Sequence, residues 1–300
     1  MSAALVALRL HRWSLGALAI LCLVLAAVAA WLAWDISATV AICNRDPEAV
    51  RCTELATSGT VRSQDVVKVI GVVGFVPFIG GVLVGGPLVA REVELRTASL
   101  AWPMAIWRSL WLSRVAVPVI ALGAVMTALP AAASYLLVAS YAPAMDPLRT
   151  FEHFGQYGPA LVIRFLAVAA VGLLVGTLLG RTLPALIASA AGALILFLML
   201  SSTTTLWLTP IQLPQLQEPG EGLGNLFVRQ MARLPNGELI PIEEAEIVDP
   251  ELDDVTETVD FGLPAERAPE VAWREWTALV CGSVLLGAGS VLALRRRRPY

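Results

Sequence analysis

"GGPLVAREVELRTASLAWPMAIWRSLWLSR", residues 85–114, decides how the chain is read. It carries four arginines, two glutamates and three tryptophans between two long apolar runs. The 300-residue chain is 57% hydrophobic and only 15% charged, against about 25% charged in an ordinary soluble domain. The deficit is not spread evenly: the charge sits in islands such as this one.

Runs with little or no charge fall at 14–34, 66–90, 115–141, 159–180, 184–208 and 277–294. A helix needs ~17–25 apolar residues to cross the hydrocarbon core, and in lipid it must satisfy its own backbone hydrogen bonds. Six such runs predict an all-α fold, a polytopic membrane protein with six transmembrane helices in one domain, 1–300. A soluble core would need six helices apolar on every side. The first run follows Arg9 and Arg12 and contains "AVAA", as a cleaved leader would. Its length, Ser14 to Trp34, and its closing Trp31 and Trp34 read instead as a retained anchor.

Arginine sets the expected orientation. With the N-terminus in the cytoplasm, the inner segments hold Arg9, Arg12, Arg91, Arg96, Arg108, Arg114, Arg181 and Arg295 to Arg298, against Glu92 and Glu94. Both termini are then cytoplasmic. All nine tryptophans fall near expected membrane boundaries, where amphipathic rings settle.

Cys43 and Cys52 share the first outer loop, where an oxidising compartment permits a disulfide between them. Cys22 and Cys281 lie inside spans and read as small apolar residues. Gly172, Gly176 and Gly180 repeat at a spacing that lets another helix approach closely, more simply within the chain than across a dimer seam. Pro77, Pro118 and Pro130 are expected to mark kinks or unwound backbone. Residues 209–272, with fourteen acidic side chains against three arginines, read as an acidic extracytoplasmic loop with at most short strands. Asp249, Asp253 and Asp254 lack the spacing of an EF-hand.

Several chemistries are excluded. Lys68 is the one lysine, and no glycine-rich phosphate loop surrounds it, so the chain has no P-loop ATPase site. Two histidines, His11 and His153, cannot build H-E-x-x-H, and no G-x-S-x-G elbow occurs. Ion-coupled carriers place ionisable relays within spans. Here Arg164 alone lies clearly inside one, and it is expected to reach the outer interface or a wet cavity.

The opening stretch can now be placed. Gly85, Gly86 and Pro87 should weaken the second span at the inner surface. "REVELRTASLAW" then forms a short helix ending before Pro103, and Met104, Trp107 and Trp111 line one side of a second. Tryptophans at headgroup level would lay these segments along the membrane. Pro87, Leu88, Ala90, Arg91, Glu92, Glu94, Thr97, Leu100, Ala101, Trp102, Arg108 and Trp111 together resemble the loop between spans two and three of ABC-2 type transporter permeases of actinobacterial kind. "GRTLPALIAS" and the closing "RRRR" agree with it, whereas Val93, Arg96 and Pro103 depart from the pattern.

The resemblance implies a permease subunit, with export the family tendency, in a bacterial plasma membrane. It would pair with a second permease subunit and with a separate ABC ATPase subunit that binds the ATP. No cofactor belongs to this chain, and no nucleic-acid partner is expected. Arg91, Glu92, Glu94, Arg96, Thr97, Leu100 and Trp102 are the implied ATPase-coupling surface, carried on a short cytoplasmic coupling helix. A non-transporting scaffold or signalling module, and a secondary transporter, are the other classes the residues leave open.

Overall fold

The computed structural model describes residues 8–46, 52–58, 60–95, 108–203, 208–213, 224–234, 237–242 and 257–296. Among these residues, six helical stretches are long and apolar enough to cross a membrane. Helix α1 is Arg12–Cys43, α2 is the short Thr53–Ser58, and α3 and α4 are Ser63–Gly74 and Val76–Glu94. Helix α5 is Arg108–Tyr141, α6 is Pro159–Leu179, α7 is Thr182–Thr203 and α8 is Ala268–Arg296. Several outlast the apolar runs that announce them. Helix α1 has 32 residues, about 48 Å at ~1.5 Å per residue, so it projects past the hydrocarbon at its ends.

The prolines do not all act as expected. Only Pro77 sits at a break, where Phe75 separates α3 from α4. A proline in the first turn of a helix loses no bond, because that N–H has no intrahelical partner in any case. Pro118 and Pro130 lie within the unbroken α5. The Gly85-Gly86-Pro87 run, expected to weaken the second span, is likewise helical, and α4 continues through it to Glu94.

Those glycines have a packing role instead. A Cβ on Gly85 would stand 2.4 Å from the Ala169 carbonyl oxygen, and one on Gly172 2.7 Å from the Gly86 nitrogen. A Cβ on Gly176 would come equally near the Gly86 oxygen. Helices α4 and α6 thus touch backbone to backbone within one chain. Gly180 does something different: at φ +64° it is the left-handed residue that ends α6. Higher up the same pair, Phe165 is fully buried between the small surfaces of Gly80 and Gly123.

The acidic segment is more than a solvated loop. Strands β1 (Ile211–Gln212), β2 (Leu226–Arg233), β3 (Leu239–Pro241) and β4 (Glu257–Leu263) form an antiparallel sheet in the order β1-β4-β2-β3. The fold is therefore the expected helical membrane bundle of six spans, and the short strands of the acidic segment join in a small sheet at one end. Phe151, Leu263, Ala268 and Val271 bury themselves where the sheet meets the start of α8. The Phe151 amide also donates to the Gly224 carbonyl at 2.7 Å.

Placing a leucine at Gly85 or Gly172 should overpack the α4–α6 seam and cost about 3 kcal/mol. Gly282→Leu, at a position open to space, should be tolerated. Unfolding midpoints of the three variants in lipid nanodiscs check this, and equal midpoints would show the seam to be unimportant.

Candidate functional site

The end of the bundle opposite the sheet carries the last turn of α4. Arg91, Glu92 and Glu94 lie on that turn, with Arg91 and Glu94 exposed and Glu92 half-buried. Arg96, Thr97, Leu100 and Trp102 lie outside the described residues. The exposed pair is already engaged within the chain. Arg91 Nη1 donates to the Leu10 carbonyl at 3.1 Å, just ahead of α1. Glu94 Oε2 accepts from the Thr182 amide at 2.8 Å and from the Thr182 hydroxyl at 2.5 Å.

The second arrangement is a helix cap supplied from another element. Thr182 opens α7, whose first N–H groups lack partners within the helix. A carboxylate there both accepts those donors and complements the positive end of the helix dipole. The tight turn of Gly180 and Arg181 sets α7 off beside the end of α4. Three spans therefore meet at one surface: α4 directly, α1 through Leu10, and α7 through Thr182. Nothing in the sequence marks Leu10 or Thr182 for this, because both contacts are long-range.

His11, next to Leu10, is 3% exposed. Burial holds its pKa below the ordinary value, Arg91 adds to that, and Glu92 opposes it.

The sheet end holds a second cluster. Arg164 on α6 does not reach water or a wet cavity: its side chain is 8% exposed and faces Glu275 of α8, at 4%. Its Nε and Nη2 donate to Glu275 Oε1 at 3.0 and 2.7 Å, and Nη1 donates to the Gly155 carbonyl at 2.7 Å. Gly155 has φ +73° and lies so close to the guanidinium that any Cβ would collide with it. One arginine thus joins α6, α8 and the 142–158 connection. The sequence reading missed Glu275 because it started the last span at residue 277, whereas α8 starts at Ala268. The signal was there, in Trp273 and Trp276 one turn apart.

In the same connection, His153 has φ +55° and lies beside Glu152. Burial lowers its pKa, and Glu152 partly restores it. Cys43 and Cys52 are bonded to each other, with a Cα–Cα distance of 5.5 Å. Cys22 is buried and Cys281 exposed, both as free thiols. Among the described residues no group of His, Cys, Asp and Glu is placed to hold a metal ion.

A family model described as ABC-2 membrane transporter related matches residues 15–207, which take in α1 to α7. The chain belongs to that family. It is a multi-pass membrane protein and a transporter permease subunit. No curated protein and no solved structure matches it. In this permease the matched region holds the α4–α6 seam and the Glu94–Thr182 cap, whereas the sheet and Glu275 fall beyond it.

Two outcomes follow for the clusters described. Arg164→Met should cost about 3–5 kcal/mol, because it strands a buried carboxylate, and Arg164→Met with Glu275→Leu should recover most of that. Unfolding of the single and double variants in nanodiscs measures the difference; additive losses would mean that the pair is not coupled.

The histidines give a pH dependence of fixed sign. An unfolded chain protonates them near their ordinary 6.5, whereas the folded chain does so only at lower pH. Their contribution is complete above about pH 6.5 and is lost as pH falls below it. His11→Gln with His153→Asn, the asparagine tolerating the left-handed backbone, should narrow the gap between unfolding midpoints at pH 7.5 and pH 5. An unchanged gap would assign that loss to other groups.

Proposed function

We propose that this permease subunit is driven by a separate ABC ATPase that engages the end of α4 and the residues following it, and that it works in export. The observation that carries the reading is the junction at Glu94. A motor outside the membrane must move spans through a rigid element, and α4 is one continuous helix from Val76 to Glu94 whose last side chain caps α7. Arg91 adds α1 through the Leu10 carbonyl. A displacement imposed there reaches three spans together.

The basic residues of the short connections support a cytoplasmic position for this surface, with the sheet outside, in a bacterial plasma membrane. Glu92 and Glu94, with Arg96, Thr97, Leu100 and Trp102, form the coupling surface in this reading. The absence of a phosphate loop from the sequence accords with a borrowed ATPase. A second permease subunit completes the transporter.

The test is co-purification with an ABC ATPase subunit of the source organism, followed by ATP hydrolysis in proteoliposomes. The parent should raise the hydrolysis rate of that ATPase. Glu92→Ala with Glu94→Ala should keep the subunit in the membrane but abolish the stimulation. Thr182→Val, which removes one of the two donors to Glu94 and leaves the charged face of α4 unchanged, should leave binding intact and weaken stimulation alone. If the double variant stimulates like the parent, the coupling assignment is wrong; if the parent finds no ATPase, the energised transporter reading falls.

A further inference from the structure

At the sheet end, α5, α6, α8 and the 142–158 connection line a cavity of about 260 Å³ that is open on one side, where Trp273 is exposed. Five of its walls are aromatic: Tyr135 from α5, Phe154 and Tyr157 from the connection, and Trp273 and Trp276 from α8. The walls are held in place. Tyr157 donates its hydroxyl to the Pro147 carbonyl at 2.6 Å. Arg164 pins both Gly155, another lining residue, and Glu275, the neighbour of Trp276.

A second cavity, of about 370 Å³, lies toward the other end of the same three helices. Leu112, Ile120, Leu166 and Val291 line it, with no aromatic ring among the described residues. An acyl chain finds all it needs in those aliphatic walls. The aromatic chamber offers something further. Ring faces carry negative charge density and attract cations, most strongly away from water.

The surroundings have the same sign. Among the described residues, none that line the cavity carries a positive charge, and the nearby Arg164 is neutralised by Glu275. Glu152 and Asp146 both act on the Tyr157 hydroxyl and, after burial, help to push its pKa up. Asp146 is partly offset by Arg149 at 3.8 Å. Among the described residues of 209–272, Glu238, Glu257, Asp260, Glu266 and Glu270 stand against Arg229, Arg233 and Arg267, an excess of the sign that gathers cations from solution.

We propose that this aromatic chamber binds a small organic cation bearing a quaternary ammonium or an aromatic ring, and that such cations are the cargo class of the transporter. The cargo role rests on the transport reading above; the binding site does not. The volume suits a molecule the size of benzyltrimethylammonium. Its neutral isostere, neopentylbenzene, has the same shape without the charge.

The experiment measures equilibrium binding of labelled benzyltrimethylammonium to the chain in nanodiscs, corrected with empty discs. Saturable binding at one site is expected, with neopentylbenzene displacing it at least tenfold less effectively. Trp276→Leu should weaken binding about tenfold, whereas Trp13→Leu, on an exposed ring at the opposite end, should not change it. Asp146→Asn with Glu152→Gln leaves the aromatic walls whole and should weaken binding several-fold, so the proposal survives a Trp276 variant that fails to fold. Equal displacement by the neutral isostere or by dodecanol would make the chamber a lipid crevice and overturn the proposal, as would the absence of saturable binding. Because ATPase stimulation is measured separately, its persistence without cation binding would leave the transport reading standing. Cation binding without any ATPase partner would remove the cargo role alone.

Discussion

Backbone contact between α4 and α6 is the constraint on which the rest of the bundle depends. Inside lipid, apolar side chains gain little by leaving one hydrocarbon neighbour for another, so helix association rests on close packing. Gly85 and Gly86 against Ala169, Gly172 and Gly176 supply that closeness. Their cost is the helix weakness that glycine brings, and lipid reduces it, because a broken backbone bond there has no water to turn to. The same environment explains how α5 holds Pro118 and Pro130 and still runs unbroken. A chain that reads as full of helix breakers is, in this solvent, full of helix contacts.

With α4 and α6 locked together, the polar groups at their two ends acquire defined partners. At one end Glu94 is delivered to the start of α7; at the other Arg164 is delivered to Glu275. These pairs differ in physical character. The first is exposed, so water and salt weaken it, and it can be remade in another geometry at little expense. The second is dry and is held at three points, so separating its partners exposes a charge to a medium that solvates it poorly. Compliance belongs to the end where a motor is proposed to act. The far end is rigid, and it shapes a cavity.

The span count and the membrane class were legible in the sequence, because apolar runs of sufficient length have few other uses. The close approach of Gly172 and Gly176 was legible as a spacing, but not its partner on α4. What the sequence concealed has a common cause. Glu275 was set outside the membrane because a charge ends a hydropathy run, although a buried partner lets a helix carry it inward. Short strands were legible in the acidic segment but not their union in a sheet, because β2, "LFVRQMAR", alternates poorly and pairs with β4 across a long intervening segment. Thr182 carries no signal of its own: it becomes informative only when α4 arrives beside it. Pairwise, long-range information of this kind is what a linear reading lacks.

The proposed coupling surface is where that lack matters most. Read along the chain, Arg91, Glu92 and Glu94 form one charged face turned toward an outside partner. In the structure, Arg91 and Glu94 also reach inward, to the Leu10 carbonyl and to Thr182. One turn of helix therefore has both the charged face proposed to meet the motor and hydrogen bonds to the elements at the start of α1 and α7. Fixing a side chain between two elements costs conformational entropy once, on folding, so no further ordering is required when a partner binds. In the proposed reading, the compliant hydrogen bonds at this surface let α1 and α7 shift as α4 is displaced, while the close packing of α4 against α6 keeps that displacement from being lost within the bundle.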